Sequence, residues 1–303
     1  MSPSITNIFA GLGLALIIAL AAWRARSLSP NGAIAAAVLG MVVFGLGGLG
    51  WATLLLAFFI SSSALSRLFR QQKRTLDEKF SKGSQRDAGQ VAANGGVAGL
   101  LVLLYVFLPA ASPWAWAAFA GALAGANADT WATELGVLSR GAPRLVTNGR
   151  VVERGESGGV TLLGSLAALA GSALIALLAV LFWQGRILPL PAGLPAWLAA
   201  LVSPSATVPA LLLSPAQKLA WFGVISLAGF AGSLIDSFLG ATLQAIYYCP
   251  TCHKETERHP LHTCGTSTRQ LRGLSWLDND WVNTACTLAG ALVTLTGYGL
   301  ISG

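Results

Sequence analysis

WAWAAFAGALAGANADTWATELG, running from Trp114 to Gly136, decides the fold. Nothing charged stands between Trp114 and Asp129, and the run is long enough to cross a hydrocarbon core of roughly 30 Å as a helix. Gly121, Gly125 and Asp129 are four residues apart, so they share one face of that helix. A stripe of small residues lets a neighbouring backbone approach closely in lipid. The rest of the chain has the same character. Of its 303 residues 54% are hydrophobic and only 10% charged, with mean hydropathy +0.65. Soluble domains run near 25% charged, so this chain cannot cover its surface in water. The net charge of +7 reads as topology rather than as a nucleic-acid footprint, because basic residues in short loops hold those loops in the cytoplasm.

Outward from this helix, eight spans are expected: Ile5–Trp23, Asn31–Leu49, Trp51–Leu65, Val91–Pro109, Trp114–Gly136, Gly159–Trp183, Leu219–Tyr247 and Trp281–Ile301. The third is short, with a tight turn expected across Gly45 to Gly50. The first is flanked by Arg24 and Arg26 without a small-residue cleavage site, so it reads as a retained span. Trp23, Trp51, Trp114, Trp183 and Trp281 fall at span ends, where interfacial anchors belong. With both termini outside, seventeen of the nineteen Lys and Arg fall in cytoplasmic loops, leaving Arg186 and Lys218 outside. The expected organisation is a single all-α, multi-pass domain, 1–303, in the cell (inner) membrane. Its cytoplasmic segments are a basic loop over 66–90, a phosphate-binding loop over 137–158 and a Cys/His knuckle within 248–280. The proline-rich segment 185–217 is either an external loop or a re-entrant pair.

Three carboxylates lie inside these spans: Asp129, Glu134 and Asp236. A carboxylate in a membrane needs a partner or a task. A helix-packing hydrogen bond is the plain alternative. At 1.5 Å per residue, Asp129 and Asp236 lie roughly 22 and 25 Å from the outer ends of their helices, level with the basic loops. Asp236 also sits on a glycine stripe, between Gly232 and Gly240. GANADT and GSLIDS both read glycine, three residues, aspartate, hydroxyl, a faint internal echo. Asn127, Thr130 and Glu134 occupy other faces than Asp129. For all of them to serve one site, the helix is expected to end or unwind around Ala132–Glu134.

The loop beyond supplies donors in Arg144, Thr147, Asn148 and Arg150. Ser157, Gly158, Gly159 and Thr161 then lead into the next helix, where free N–H groups and the helix dipole suit an oxyanion. An ordinary cap and hinge is the competing reading. Gln90 and Asn94 are one turn apart before Gly95 and Gly96, so Asn94 serves either helix entry or ligand orientation. CPTCHKETERHPLHTCG offers Cys249, Cys252, His262 and Cys264 as a tetrahedral zinc set on the reducing side of the membrane, with His253 and His259 as spare ligands. Cys286 stands alone in the last span and reads as a small buried residue.

The ordered motifs RDAGQVAANGG, GALAGANADTWATELG, PRLVTNGRVVERGESGGVTLLG, GSLIDSFLGATLQ and GLSWLDNDWVN cover nearly the whole chain. Together they resemble the integral membrane family of unknown function number ninety-two, which contains vertebrate transmembrane protein nineteen and plant phytyl-phosphate kinase. The cysteine knuckle departs from the family pattern. The resemblance implies phosphorylation of a prenyl monophosphate by a nucleoside triphosphate, CTP or UTP. Under it, Asp129 and Asp236 hold catalytic Mg²⁺ with Glu134, and Arg144 and Arg150 take the triphosphate. Thr147, Asn148, Ser157 and Thr161 orient phosphate oxygens, with Asn94, Asn127, Thr130, Gly158 and Gly159 completing the binding site. The expected partners are the lipid bilayer, the prenyl phosphate and the nucleotide, with no nucleic acid and no oligomeric state indicated. The rival expectation is an ion-coupled transporter using Asp129 and Asp236.

Overall fold

The computed structural model describes residues 5–70, 85–108, 112–183 and 213–302. Each of the eight expected spans coincides with a helix: α1 (Ile5–Arg24), α2 (Pro30–Gly40), α3 (Leu49–Leu68), α4 (Ala88–Phe107), α5 (Ser112–Gly136), α6 (Leu162–Leu181), α7 (Pro215–Thr242) and α8 (Asn279–Ser302). The chain is a polytopic helical membrane protein. Six of the described helical stretches are long and apolar enough to cross a membrane; α5 is not among them.

The reason is position. α5 is the central post of the bundle and packs on α3, α4, α6, α7 and α8. Residues 115–126 are buried all round. A helix clothed by protein needs small side chains for close approach rather than lipid-facing leucines, and Ala and Gly dominate it accordingly. A Cβ at Gly229 would stand 2.7 Å from the Cβ atoms of both Ala124 and Ser172, so α5, α6 and α7 converge there without a spacer.

The boundaries differ from the sequence reading in instructive places. α2 runs on as a π-helical turn, Met41–Gly47, and the chain reverses at Gly48 alone, whose φ of +86° only glycine adopts cheaply. The expected turn over Gly45 to Gly50 is thus confined to one residue, and α3 is a full 20-residue helix rather than a short one. α7 starts at Pro215, with a Ser214–Gln217 capping box, and ends at Thr242, so Tyr247 belongs to a strand and not to the helix. Residues 185–212 of the proline-rich segment and 71–84 of the basic loop lie outside the described residues.

Two of the expected tryptophan anchors are core residues. Trp51 packs edge-on against Trp116 at 5.0 Å and Phe119 at 4.7 Å, and Trp183 meets Trp221 at 4.9 Å. Neighbouring helices cover these rings before lipid can reach them. Trp23 and Trp281 remain exposed, as anchors must be.

The other end of the bundle carries the irregular structure. A short antiparallel pair, β1 (Arg144–Leu145) with β2 (Gly159–Val160), closes the loop between α5 and α6. A three-stranded sheet in the order β4 (Lys254–Thr256), β3 (Ile246–Cys249), β5 (Arg269–Arg272) sits between α7 and α8. Arg272 ties this sheet to α7 by donating to the carbonyls of Gly240 and Ala241, a cation at a helix C-terminus.

Candidate functional site

The glycine stripes determine where the two aspartates go. A Cβ on Gly232 of α7 would lie 2.7 Å from the Cys286 carbonyl oxygen and 3.4 Å from the Cα of Gly125. A Cβ on Gly125 would lie 3.1 Å from the same carbonyl. α5, α7 and α8 therefore cross at Gly125, Gly232 and Cys286 with almost nothing between their backbones. Beyond this crossing α5 and α7 run in parallel, and one turn further on each carries its aspartate. Asp129 and Asp236 meet within hydrogen-bonding reach. Asp236 Oδ2 is buried without a hydrogen-bond partner. Two carboxylates this close, one with an unpartnered oxygen, have the chemistry to hold a cation or share a proton.

The pair lies in a cavity of about 350 Å³ at the loop-bearing end of the bundle. Thr130 and Glu134 line it together with Asp129, although α5 stays helical to Gly136. The expected unwinding around Ala132–Glu134 is not needed, because the cavity wraps around the end of the central helix and so reaches more than one of its faces. Glu134 is buried and accepts a hydrogen bond from Ser66 Oγ at 2.5 Å.

The opposite wall is the turn entering α6. Gly155 and Gly158 have φ of +78° and +86°, and a Cβ on Gly158 would come within 2.6 Å of the Ala241 nitrogen. Only glycine permits both the conformation and the seating of this turn on α7. Thr161 caps α6 by accepting from Gly164 N at 3.0 Å. Ser157 donates to Glu257 Oε1 at 2.9 Å, as does the Gln244 amide.

Cations complete the wall. Arg70, Arg86 and Arg154 all line the cavity. Arg154 donates to the Ser139 carbonyl at 2.6 Å. Arg86 lies over the rings of Phe58 and Phe59, and its Nη1 is buried without a hydrogen-bond partner. Burial pulls its guanidinium down to about 10 while the Glu134 carboxylate opposes the shift, so it remains a cation at neutral pH. Arg86, Gln90 and Asn94 also border a second, apolar cleft of about 90 Å³ walled by α1, α2 and α3.

Apart from the cavity, the expected Cys/His set assembles. The ligand atoms of Cys249, Cys252, His262 and Cys264 lie within 4.8 Å of one another. A tetrahedral zinc with Zn–S near 2.3 Å places sulfurs about 3.8 Å apart, and Cys249 Sγ is 3.6 Å from Cys264 Sγ. The Thr266 hydroxyl, then His262, hold the Cys264 thiol down to about 6, in the thiolate form a metal takes. Hydrogen bonding to Cys264 pushes Cys252 up to about 11.

The family described as integral membrane protein DUF92 matches residues 13–291 of the chain. Protein PGR of Arabidopsis thaliana is 33% identical over 310 residues, covering 97% of this chain and 96% of its own length. This chain belongs to the DUF92 family. An uncharacterized membrane protein of Methanocaldococcus jannaschii is 31% identical over 59% of this chain and 73% of its own length. One from Synechocystis is 31% identical over 54% and 64%. No solved structure matches.

In this DUF92 protein the residues singled out from sequence divide into two groups. Asn94, Asp129, Thr130, Glu134, Ser157, Gly158, Gly159, Thr161 and Asp236 share the cavity. Asn127 does not: fully buried, it donates to the Gly171 carbonyl at 2.8 Å and accepts from Ser61 at 3.1 Å, joining α3, α5 and α6. Arg144, in β1, and Thr147, Asn148 and Arg150, on the β1–β2 loop, are exposed outside the cavity lining; Arg144 donates to the Gly149 carbonyl, and Asn148 accepts from Arg150 N. Sequence reasoning missed Arg70, Arg86, Arg154, Gln244, Glu257, Asn279 and Asn283. The motifs RDAGQ and DNDWVN contain three of these, and a polar residue at the mouth of an apolar helix was the signal available. Glu257 carried none, because it lies inside the stretch that reads as a metal knuckle.

Proposed function

We propose that this protein is a membrane prenyl-phosphate kinase, transferring the terminal phosphoryl group of a nucleoside triphosphate, CTP or UTP, to a prenyl monophosphate. The observation that carries this reading is the junction at Arg86, Gln90 and Asn94, where a chamber of carboxylates, arginines and a glycine turn adjoins an apolar cleft. A prenyl phosphate has the same two halves. Its hydrocarbon belongs in the cleft and its phosphate beside the Arg86 guanidinium.

The carboxylate pair suits Mg²⁺, since Asp129 and Asp236 lie within hydrogen-bonding reach and Asp236 Oδ2 is buried without a partner. When bound, the ion screens phosphate charge and aligns the transferring group. The chain's own groups do the rest. Arg154 and the N–H groups around Gly158 hold the phosphates of the donor, with Arg144 and Arg150 on the adjoining loop where the nucleotide enters. An oxygen of the prenyl phosphate attacks the terminal phosphorus, the bond to the bridging oxygen breaks, and the nucleoside diphosphate leaves. Such transfers need position and charge more than covalent assistance.

The ion-coupled carrier is the weaker reading. A carrier needs a site reachable from both faces, and beyond the aspartate pair α5 is packed against its neighbours, with Gly121 set against Gly290 and Thr294. The test is purified protein in detergent with labelled CTP, UTP and ATP against a panel of prenyl alcohols and monophosphates. Mg²⁺-dependent prenyl diphosphate is the expected product. No product from any pair, with Asp129-dependent cation flux in liposomes instead, would hand the site to the carrier.

A further inference from the structure

Glu257 reaches the chamber from an unusual direction. It is the first residue after β4, and β4 pairs antiparallel with β3, which leaves α7 by a short turn. The hairpin therefore has a base beside the chamber and a tip away from it. At the base, Glu257 Oε1 accepts from Ser157 and from Gln244, both at 2.9 Å, and the carboxylate lies close enough to Asp236 to act on it electrostatically. At the tip, Cys249 ends β3 and Cys252 lies in the turn before β4. The chain then returns past Glu257 to the tip, where His262 Nδ1 lies 3.4 Å from Cys264 Sγ and Thr251 Oγ1 lies 2.9 Å from Thr266 Oγ1. The segment carrying Glu257 is thus bounded on both sides by members of the Cys/His set.

We propose that Cys249, Cys252, His262 and Cys264 hold one Zn²⁺, and that this ion closes the loop bearing Glu257 and so fixes Glu257, and with it the Ser157–Gly158 turn, in the chamber. Three sulfurs and an imidazole within tetrahedral reach select zinc among common divalent ions. Closing the loop joins its two ends at the hairpin tip. Along its length the loop is also anchored by three β3–β4 pairs, by His259 stacked on Tyr247 at 4.4 Å, and by Thr268, which donates to the Arg258 and Pro260 carbonyls. Glu257 is accordingly a positioning residue, acting on the phosphate turn through Ser157. The inference stands apart from the kinase reading, since its readouts are metal content and backbone exchange.

The test uses the full chain purified in detergent. Elemental analysis should give about one zinc per chain. Stripping with a chelator should speed amide exchange at residues 254–258 and 156–161 by roughly ten-fold or more, with restoration by added zinc alone. Glu257→Ala should keep its zinc yet speed exchange at 156–161 only, which separates the clamp from loss of folding. Zinc well below stoichiometry after loading overturns the site. Zinc bound, with exchange at 156–161 indifferent to both the chelator and Glu257→Ala, overturns the clamp.

Discussion

Gly232→Ala tests the crossing that creates the site. The added Cβ would stand 2.7 Å from the Cys286 carbonyl oxygen and 3.4 Å from Gly125 Cα, all of them backbone atoms that cannot rotate away. An ordinary contact of a carbon needs about 3.5 Å, so α7 must retreat from α8 by something under ~1 Å. Overpacking of this kind costs about 1–3 kcal/mol. Asp236 is one turn further along the same helix and moves with it. Misplacing a reacting geometry by about 1 Å costs on the order of 100-fold in rate, so kcat/KM for prenyl diphosphate formation should fall between roughly ten- and a hundred-fold. The matched control is Gly223→Ala on the same helix, where nothing lies within 4 Å of a Cβ. Alanine is favoured over glycine within a helix by roughly 0.5–1 kcal/mol, so this variant should melt at or above the wild-type temperature with unchanged turnover. Thermal unfolding in detergent and the labelled-nucleotide assay read both effects. Wild-type melting and turnover in Gly232→Ala would refute the close crossing and the argument built on it.

Asp129→Asn is nearly isosteric and removes only charge, so Mg²⁺-dependent turnover should drop to background while elution on size exclusion stays monodisperse; Asp236→Asn should do the same, and full activity in either would remove it from the site. Asn127→Ala strips a buried amide from the Gly171 carbonyl and Ser61; it should cost about 1–3 kcal/mol of stability and leave turnover of the folded protein within about two-fold. The opposite pattern, lost turnover at unchanged melting, would make Asn127 a ligand. For sidedness, Gly141→Cys is exposed on the chamber's loop, its Cβ meeting Ser139 Oγ at an ordinary 3.9 Å, and Ala216→Cys is exposed at the far end of α7. In intact cells a membrane-impermeant maleimide should label only the second, with wild type as the blank. Labelling of Gly141→Cys from outside would cut the chamber off from CTP and UTP.

Much of this architecture is legible in the sequence because lipid imposes simple demands. Length and apolarity locate the helices, and each of the eight expected spans proves to be a helix. The boundaries that failed did so where protein, not lipid, covers the chain. Trp51 and Trp183 look like interfacial anchors until neighbouring rings enclose them. Tyr247 looks like the end of a span because a buried strand is as apolar as a helix turn. Asn127 shows the same limit for the site. A polar residue in a span signals that something must satisfy it, and here two other helices do, so the signal is correct and the ligand is protein.

The internal echo illustrates what sequence holds without disclosing. GANADT and GSLIDS each place an aspartate one turn after a glycine. In one chain that pattern is weak evidence for anything. Its meaning depends on two facts that only the fold supplies, that the two glycines press on each other and that the helices run the same way from the contact. Had α7 run antiparallel to α5, the same residues would have put Asp129 and Asp236 on opposite sides of the crossing, about two helical turns apart, and neither could share a cation with the other. Parallel direction converts two ordinary packing motifs into one two-carboxylate site. The antiparallel partner, α8, contributes differently. Its Cys286 carbonyl is the surface both glycines close on, and Asn283, nearly one turn earlier in the chain, faces the chamber. The third helix is thus the template that holds the first two in register, which is why a single methyl group at Gly232 should reach the chemistry.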